Sequence, residues 1–168
     1  MSSEYRLVET EMGWVGVAGR RGRISKVTLP RPSRAEAEAV LREGMTGGLV
    51  ESKHDFAELA NQLVEYFAGK RVEFGCEIAY DGAGEFDRRV WDAAREIGYG
   101  ELWTYGKLAS RIGKPGAARA VGQALGRNSV PVIVPCHRVI RADGGLGGFS
   151  SGLEWKIALL GLESADNS

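Results

Sequence analysis

In the first half of the chain, short runs alternate apolar with polar residues. Tyr5–Thr10, Gly13–Ala18 and Ile24–Leu29 are β-type stretches separated by glycine-containing turns, and three strands are predicted there. The period then changes. Ser33–Glu43 is helical in composition, and His54–Phe67 sets Phe56, Leu59, Ala60, Leu63 and Phe67 at helical spacing, with Gly69 as a stop. Val72–Tyr80 returns to a strand pattern enclosing Cys76, which reads as a small buried hydrophobe. Asp81-Gly82-Ala83-Gly84 is the one convincing linker. It divides the chain into an α+β domain over 1–80 and a mainly helical domain over 81–168.

Beyond the linker, Phe86, Val90, Trp91, Ala94 and Ile97 form one apolar stripe that Gly98 and Gly100 terminate. Thr104 can cap a short helix through Ile112, which Gly113 ends. Pro115 suits the start of a second helix that Ala117–Leu125 continues. Two short helices around a tight glycine turn make a helix-turn-helix. The second of them is built from small residues, Ala117, Ala118, Ala120, Gly122, Ala124 and Gly126. Glycine inside a helix costs about 1 kcal/mol relative to alanine, so close approach to another surface should offset Gly122. That surface is either the protein's own core or, with Arg119 on the same helix, a nucleic-acid groove. A last helix begins near Gly152, and Leu153, Ile157 and Leu160 are expected to pack it on the core.

Composition excludes several classes. Hydrophobic content of 43% and charged content of 26% suit a soluble globular protein. No apolar run could span a bilayer and Met1–Arg6 has no signal-peptide pattern, so the cytoplasm is expected. Two cysteines and two histidines in no ligand-like spacing argue against a zinc site. Net charge is zero, but Thr104–Arg141 holds Lys107, Arg111, Lys114, Arg119, Arg127, Arg138 and Arg141 and no Asp or Glu. Such a stretch is either a polyanion footprint or a solvated basic face.

The chemistry concentrates in Pro131–Ile140, where an apolar, proline-bracketed run delivers Cys136 and His137 side by side. Nearby cations favour the thiolate, although a lone buried cysteine is usually inert. Neighbours on an extended chain point to opposite sides, so Cys136 and His137 should not touch without a turn or a bridging water.

Pro135-Cys136-His137-Arg138-Val139 resembles the active-site signature of the O-6-alkylguanine-DNA alkyltransferases, or methylated-DNA–protein-cysteine methyltransferases. Thr104–Ala109, Ala117–Gly122, Arg127-Asn128, Gly147–Ser150, Gly152-Leu153, Lys156, Leu159-Leu160 and Glu163 resemble the same family in order and spacing. The resemblance runs from Phe86 to Glu163 and is loose over 1–80. It implies an α+β fold with a ribonuclease H-like lead domain before a helical domain carrying the helix-turn-helix and an active-site loop. It also implies roles. Cys136 is the alkyl acceptor, His137 takes the thiol proton through a water, and Glu163 orients and charges the imidazole. Tyr105 assists nucleotide rotation and donates a proton to the departing guanine. Arg119 fills the gap in the base stack on a helix whose Ala118 and Gly122 face DNA. Asn128 is the hinge to the active-site loop. Val139, Phe149 and Ser150 line the guanine pocket, and Lys156 hydrogen-bonds near the loop.

The implied activity is direct reversal of O-6-alkylguanine, and of O-4-alkylthymine, by one irreversible transfer to Cys136. Minor-groove binding to double-stranded DNA without sequence preference and base flipping would precede it. No cofactor and no metal are needed, and a monomer is expected. The relay should lower the Cys136 pKa below the free-thiol value of about 8.5. Phe149 stands where many members carry Tyr and Ser151 where Gly is common, which narrows the polar contacts and the space around the base. Two rival readings remain open. One is a non-enzymatic lesion binder of the alkyltransferase-like kind, which lacks the acceptor cysteine. The other is a cysteine hydrolase, which would leave the small-residue helix unexplained.

Overall fold

The computed structural model describes residues 2–165; the outer ends of the two expected domains, 1 and 166–168, lie outside it. It divides into two compact units, Met1–Asp81 and Gly82–Ser168. The fold class is mixed α+β.

In the first unit, β1 (Ser3–Thr10), β2 (Gly13–Arg20), β3 (Arg23–Val27) and β4 (Leu49–Glu51) form a sheet in the order β3-β2-β1-β4. β1–β2 and β2–β3 are antiparallel hairpins, whereas β4 joins β1 in parallel. Helix α1 (Arg34–Arg42) starts where Ser33 accepts a hydrogen bond from the Glu36 N–H at 3.1 Å, a side-chain cap. It lays Leu41 against Tyr5 and Ala18 of the sheet. Helix α2 (Ala57–Phe67) buries Leu59, Leu63, Tyr66 and Phe67. The strand expected over Val72–Tyr80 is not formed. Only Ile78 bridges Ile24, with Ile24 N donating to Glu77 O and Ala79 N to Ile24 O, so one residue pair replaces a ladder. Cys76 in this segment is partly exposed rather than buried. β4 was not foreseen: three residues after Gly47-Gly48 carry too little pattern.

The second unit contains α3 (Glu85–Ala94), β5 (Trp103–Thr104), α4 (Tyr105–Arg111), α5 (Ala118–Gly126), a 3-10 turn (Cys136–Arg138), β6 (Val139–Ile140) and α6 (Leu153–Ala165). Thr104 caps α4 by accepting from the Lys107 N–H at 3.0 Å. Pro115 does not start α5. It lies in the preceding turn, which Ala117 N closes onto Lys114 O at 2.9 Å, and Ala117 is the cap. Helices α3, α4 and α5 pack on one another, and the Trp91 indole N–H donates to Ala124 O at 2.9 Å. β5 and β6 pair in parallel, Trp103 with Val139 and Thr104 with Ile140. That pairing sets Tyr105, the first residue of α4, beside the chain leaving Cys136.

Helix α6 packs differently from its apolar pattern. Leu153 and Ile157 are half exposed, and the face turned inward is Lys156, Leu159 and Glu163. A pattern argument cannot anticipate this, because the interior here takes an ammonium and a carboxylate and supplies each with partners. Among the described residues no helix is long and apolar enough to cross a membrane.

Candidate active site

A cleft of about 630 Å³ opens in the second unit. Tyr105 from α4, then Ala118, Arg119 and Gly122 from α5, form part of its wall. Gly148, Phe149 and Ser150 of the loop before α6 form another part, and Cys136 also lines it. Seven of the twelve residues expected to act together therefore meet at this cleft. The other five, Asn128, His137, Val139, Lys156 and Glu163, stand behind it.

Cys136 begins the 3-10 turn, with its N–H donating to Val134 O at 2.7 Å and the Arg138 N–H to Pro135 O at 2.9 Å. The Cys–His neighbours thus sit on a turn and not on an extended segment. The Asn128 side chain organises the approach to it. Its Nδ2 donates to Val134 O at 3.1 Å and to Cys136 Sγ at 3.3 Å, while its Oδ1 accepts from the Val130 N–H at 2.9 Å.

His137 is fully buried. Its Nε2 lies 2.5 Å from Glu163 Oε2, and Nδ1 has no hydrogen-bond partner among the described residues. Glu163, which could have been a solvated residue near a chain end, is 1% exposed. It also accepts from Arg138 Nε at 2.8 Å, from Arg138 Nη2 at 3.0 Å and from the Gly100 N–H at 3.3 Å. Burial opposes its charge, but the hydrogen bonds from His137 and Arg138 hold the carboxyl well below the usual carboxylate range.

Electrostatics correct the expected thiol. Burial pushes Cys136 up to about 11, and the Asn128 hydrogen bond and the Lys156 charge only partly oppose it. Burial likewise lowers His137 below its ordinary value. The hydrogen bond and charge of Glu163 raise it, whereas Arg138 and Lys156 lower it. Both shifts favour the neutral thiol and the neutral imidazole over thiolate and imidazolium. Desolvation of both groups outweighs the single carboxylate, whose charge Arg138 already balances.

Lys156 is buried, and its Nζ donates to Val139 O at 2.7 Å, Gly148 O at 3.2 Å and Leu146 O. One ammonium thereby ties the loop before α6 to β6. Val139 consequently stands behind the wall of the cleft. Its carbonyl is held by Lys156, and its N–H donates to Cys136 O. Tyr105 is pushed above its ordinary value by burial, against a hydrogen bond with the Gly148 backbone. Gly147 has φ +73°, and a Cβ there would lie 2.6 Å from the Tyr105 oxygen, so only glycine lets the loop pass this close.

Arg138 is the residue that sequence reasoning misplaced. It was counted in a basic surface stretch, yet it is buried against Glu163. Its charge sits among six similar charges in sequence, and nothing local marks it as internal. Arg111, Arg127 and Arg141 likewise face Glu96, Asp87 and Asp143 at 2.8, 2.7 and 3.3 Å. Among the described residues no cluster of His, Cys, Asp and Glu is placed to hold a metal ion.

A cysteine at a cleft bounded by a small-residue helix, backed by a buried imidazole and carboxylate, defines a site for nucleophilic chemistry on a ligand delivered to that helix. Residues 85–165 match the family model described as 6-O-methylguanine DNA methyltransferase, DNA binding domain. The chain is 43% identical over 164 residues to the methylated-DNA–protein-cysteine methyltransferase of Mycolicibacterium paratuberculosis, covering 95% of this chain and 92% of that one. It is 50% identical over 116 residues to the Methanosarcina acetivorans protein of the same name, covering 69% and 74%. Its structure is similar to that of Mycobacterium tuberculosis OGT in complex with DNA, with a TM-score of 0.82, 37% identity, and coverage of 97% and 94%. The chain belongs to the methylated-DNA–protein-cysteine methyltransferase family.

Proposed function

We propose that this protein repairs DNA by direct reversal, moving the alkyl group of O-6-alkylguanine onto Cys136 in a single irreversible turnover. The observation that carries the reading is Cys136 lining a cleft with α5, followed in the chain by a buried His137 paired with a buried Glu163. A damaged base inside the duplex is out of reach of that sulfur, so the nucleotide must be flipped into the cleft. Helix α5 is the second helix of a helix-turn-helix with α4, and its small face fits a minor groove, where sequence information is poor. Arg119 occupies the space the flipped base leaves. The first unit is a ribonuclease H-like lead domain. O-4-alkylthymine is a second substrate of the same pocket, and a monomer working in the reducing cytoplasm suffices.

The chemistry follows from a thiol that is protonated at rest. Sγ attacks the alkyl carbon, the S–C bond forms as the O–C bond breaks, and the thiol proton passes through a water to Nδ1 of His137. Glu163 accepts from Nε2, holds the ring and stabilises the imidazolium that results. The guanine leaves as its neutral form with a proton from Tyr105. Phe149 and Ser150 bound the base, and Lys156 holds the loop that carries them. The thioether has no leaving group that water could displace.

Counting turnovers tests the reading. A duplex bearing O-6-methylguanine in excess over protein should yield one repaired lesion per protein molecule and then stop. Continued release of product would instead support a hydrolase, and tight binding with no repair a lesion binder.

A further inference from the structure

Arg138 lies within a stretch that reads as a DNA footprint, but its side chain is 7% exposed and turned into the protein. Three contacts fix it. Nε and Nη2 grip both oxygens of Glu163, and Nη1 donates to Ile97 O at 2.7 Å. The guanidinium also lies 5.8 Å from the Tyr99 ring centroid. Glu163 Oε2 is shared between Arg138 Nη2 and His137 Nε2.

We propose that Arg138 is a positioning residue for alkyl transfer: its two-pronged grip keeps Glu163 an ionised acceptor, which places the His137 proton on Nε2 and leaves Nδ1, which has no hydrogen-bond partner among the described residues, as the basic nitrogen. The inference rests on the reading of Cys136 as alkyl acceptor. A carboxylate held by a guanidinium fork can only accept hydrogen bonds. The nitrogen that meets it must therefore carry the hydrogen, and the other keeps its lone pair.

Charge balance gives the second half of the argument. Arg138 and Glu163 together are neutral, so the imidazole beside them is not driven to take a second proton. Without the guanidinium, Glu163 becomes an unbalanced buried anion next to a histidine, and that arrangement favours imidazolium. The other titratable groups beside His137 are Cys136 on the same turn and Lys156 on α6. Neither of these supplies a cation to Glu163 in the fork geometry. An imidazolium formed at rest cannot accept the thiol proton, so a variant without the guanidinium should need a higher pH to react.

The test is single-turnover transfer from a duplex carrying O-6-methylguanine, followed from about pH 6 to about pH 9, where imidazole titrates. Arg138→Met should react roughly tenfold more slowly at neutral pH, with its acid limb moved up by about one unit or more and the rate recovering as pH rises. Arg138→Lys keeps the charge and should bring the limb back toward wild type. DNA affinity should be unchanged in both. A loss equal at every pH, or a lysine variant no better than methionine, would make Arg138 a purely structural residue and overturn the proposal. Nitrogen-15 NMR of the wild-type histidine gives an answer that does not depend on the variants folding. The proton should be on Nε2 at neutral pH; a proton on Nδ1, or on both nitrogens, would equally overturn it. If the wild-type protein transfers nothing to Cys136, the reading beneath has failed instead, and the tautomer measurement still decides the position of the proton.

Discussion

The side-chain amide of Asn128 donates to the sulfur of Cys136 at 3.3 Å. The same amide spans Val130 N and Val134 O, so the residue just past the end of α5 holds the segment that delivers the nucleophile. Asn128→Ala leaves the Val130 N–H without its acceptor and Val134 O with only the Cys136 N–H, and it removes the donor that favours the thiolate. Stability should fall by about 1–3 kcal/mol, as expected when buried partners are lost. Transfer should slow equally on duplex DNA and on a free O-6-alkylguanine base, because the lesion lies at the sulfur and not at the DNA surface. Thermal unfolding and the two rate measurements check this; an unchanged rate on the free base would show that the contact is only structural.

Gly122 separates folding from function. A Cβ there would meet the Tyr105 ring at 3.6 Å, an ordinary contact, so the protein itself does not require glycine. Gly122→Ala should therefore stabilise the free protein by up to about 1 kcal/mol through helix propensity. Repair of a duplex should nevertheless decline, because the added methyl group stands on the helix proposed to meet DNA. Unimpaired duplex repair would remove α5 from the proposed interface.

Salt dependence should be shallow for so basic a segment. Of its seven basic residues, Arg111, Arg127, Arg138 and Arg141 face carboxylates, leaving Lys107, Lys114 and Arg119. With Arg119 assigned to the base stack, the two lysines neutralise two phosphates and give a log–log slope of roughly −2 on duplex DNA, against roughly −6 if all seven residues engaged phosphates. Titration at several ionic strengths distinguishes the two values.

Stability against pH should show a plateau with identifiable edges. Glu163 and His137 both lie below their ordinary values of 4.5 and 6.5, so each contributes stability above that value and loses it as pH falls. Cys136 runs the other way. Raised from 9.0 to about 11, its contribution is full below pH 9.0 and is lost as pH rises through about 11. Urea unfolding across pH should show the alkaline loss reduced in Cys136→Ser and the acid loss below pH 4.5 reduced in Glu163→Gln. Superimposable limbs in variant and wild type would contradict these assignments.

The comparison between sequence and structure divides along the range of the interactions involved. Ser33 and Thr104 were legible as caps because a cap is a local bond to the third residue on. The apolar stripe of α3 was legible because it is periodic. Glu163 carried no local signal at all, and only the family resemblance singled it out. Its partners His137, Arg138 and Gly100 are all distant in sequence. Arg138 was hidden for the same reason, since a buried guanidinium and an exposed one look alike until the partner is known. The pKa of Cys136 was misjudged because charges can be counted along a chain, whereas the desolvation that outweighs them depends on packing.

Cys136 as the alkyl acceptor is the central claim, and intact mass with peptide mapping addresses it directly. After incubation with DNA containing O-6-methylguanine, the protein should gain one methylene equivalent, confined to the peptide that holds Cys136. Cys136→Ser should gain none. An unmodified wild-type protein, or a methyl group found on Cys76, would contradict the account.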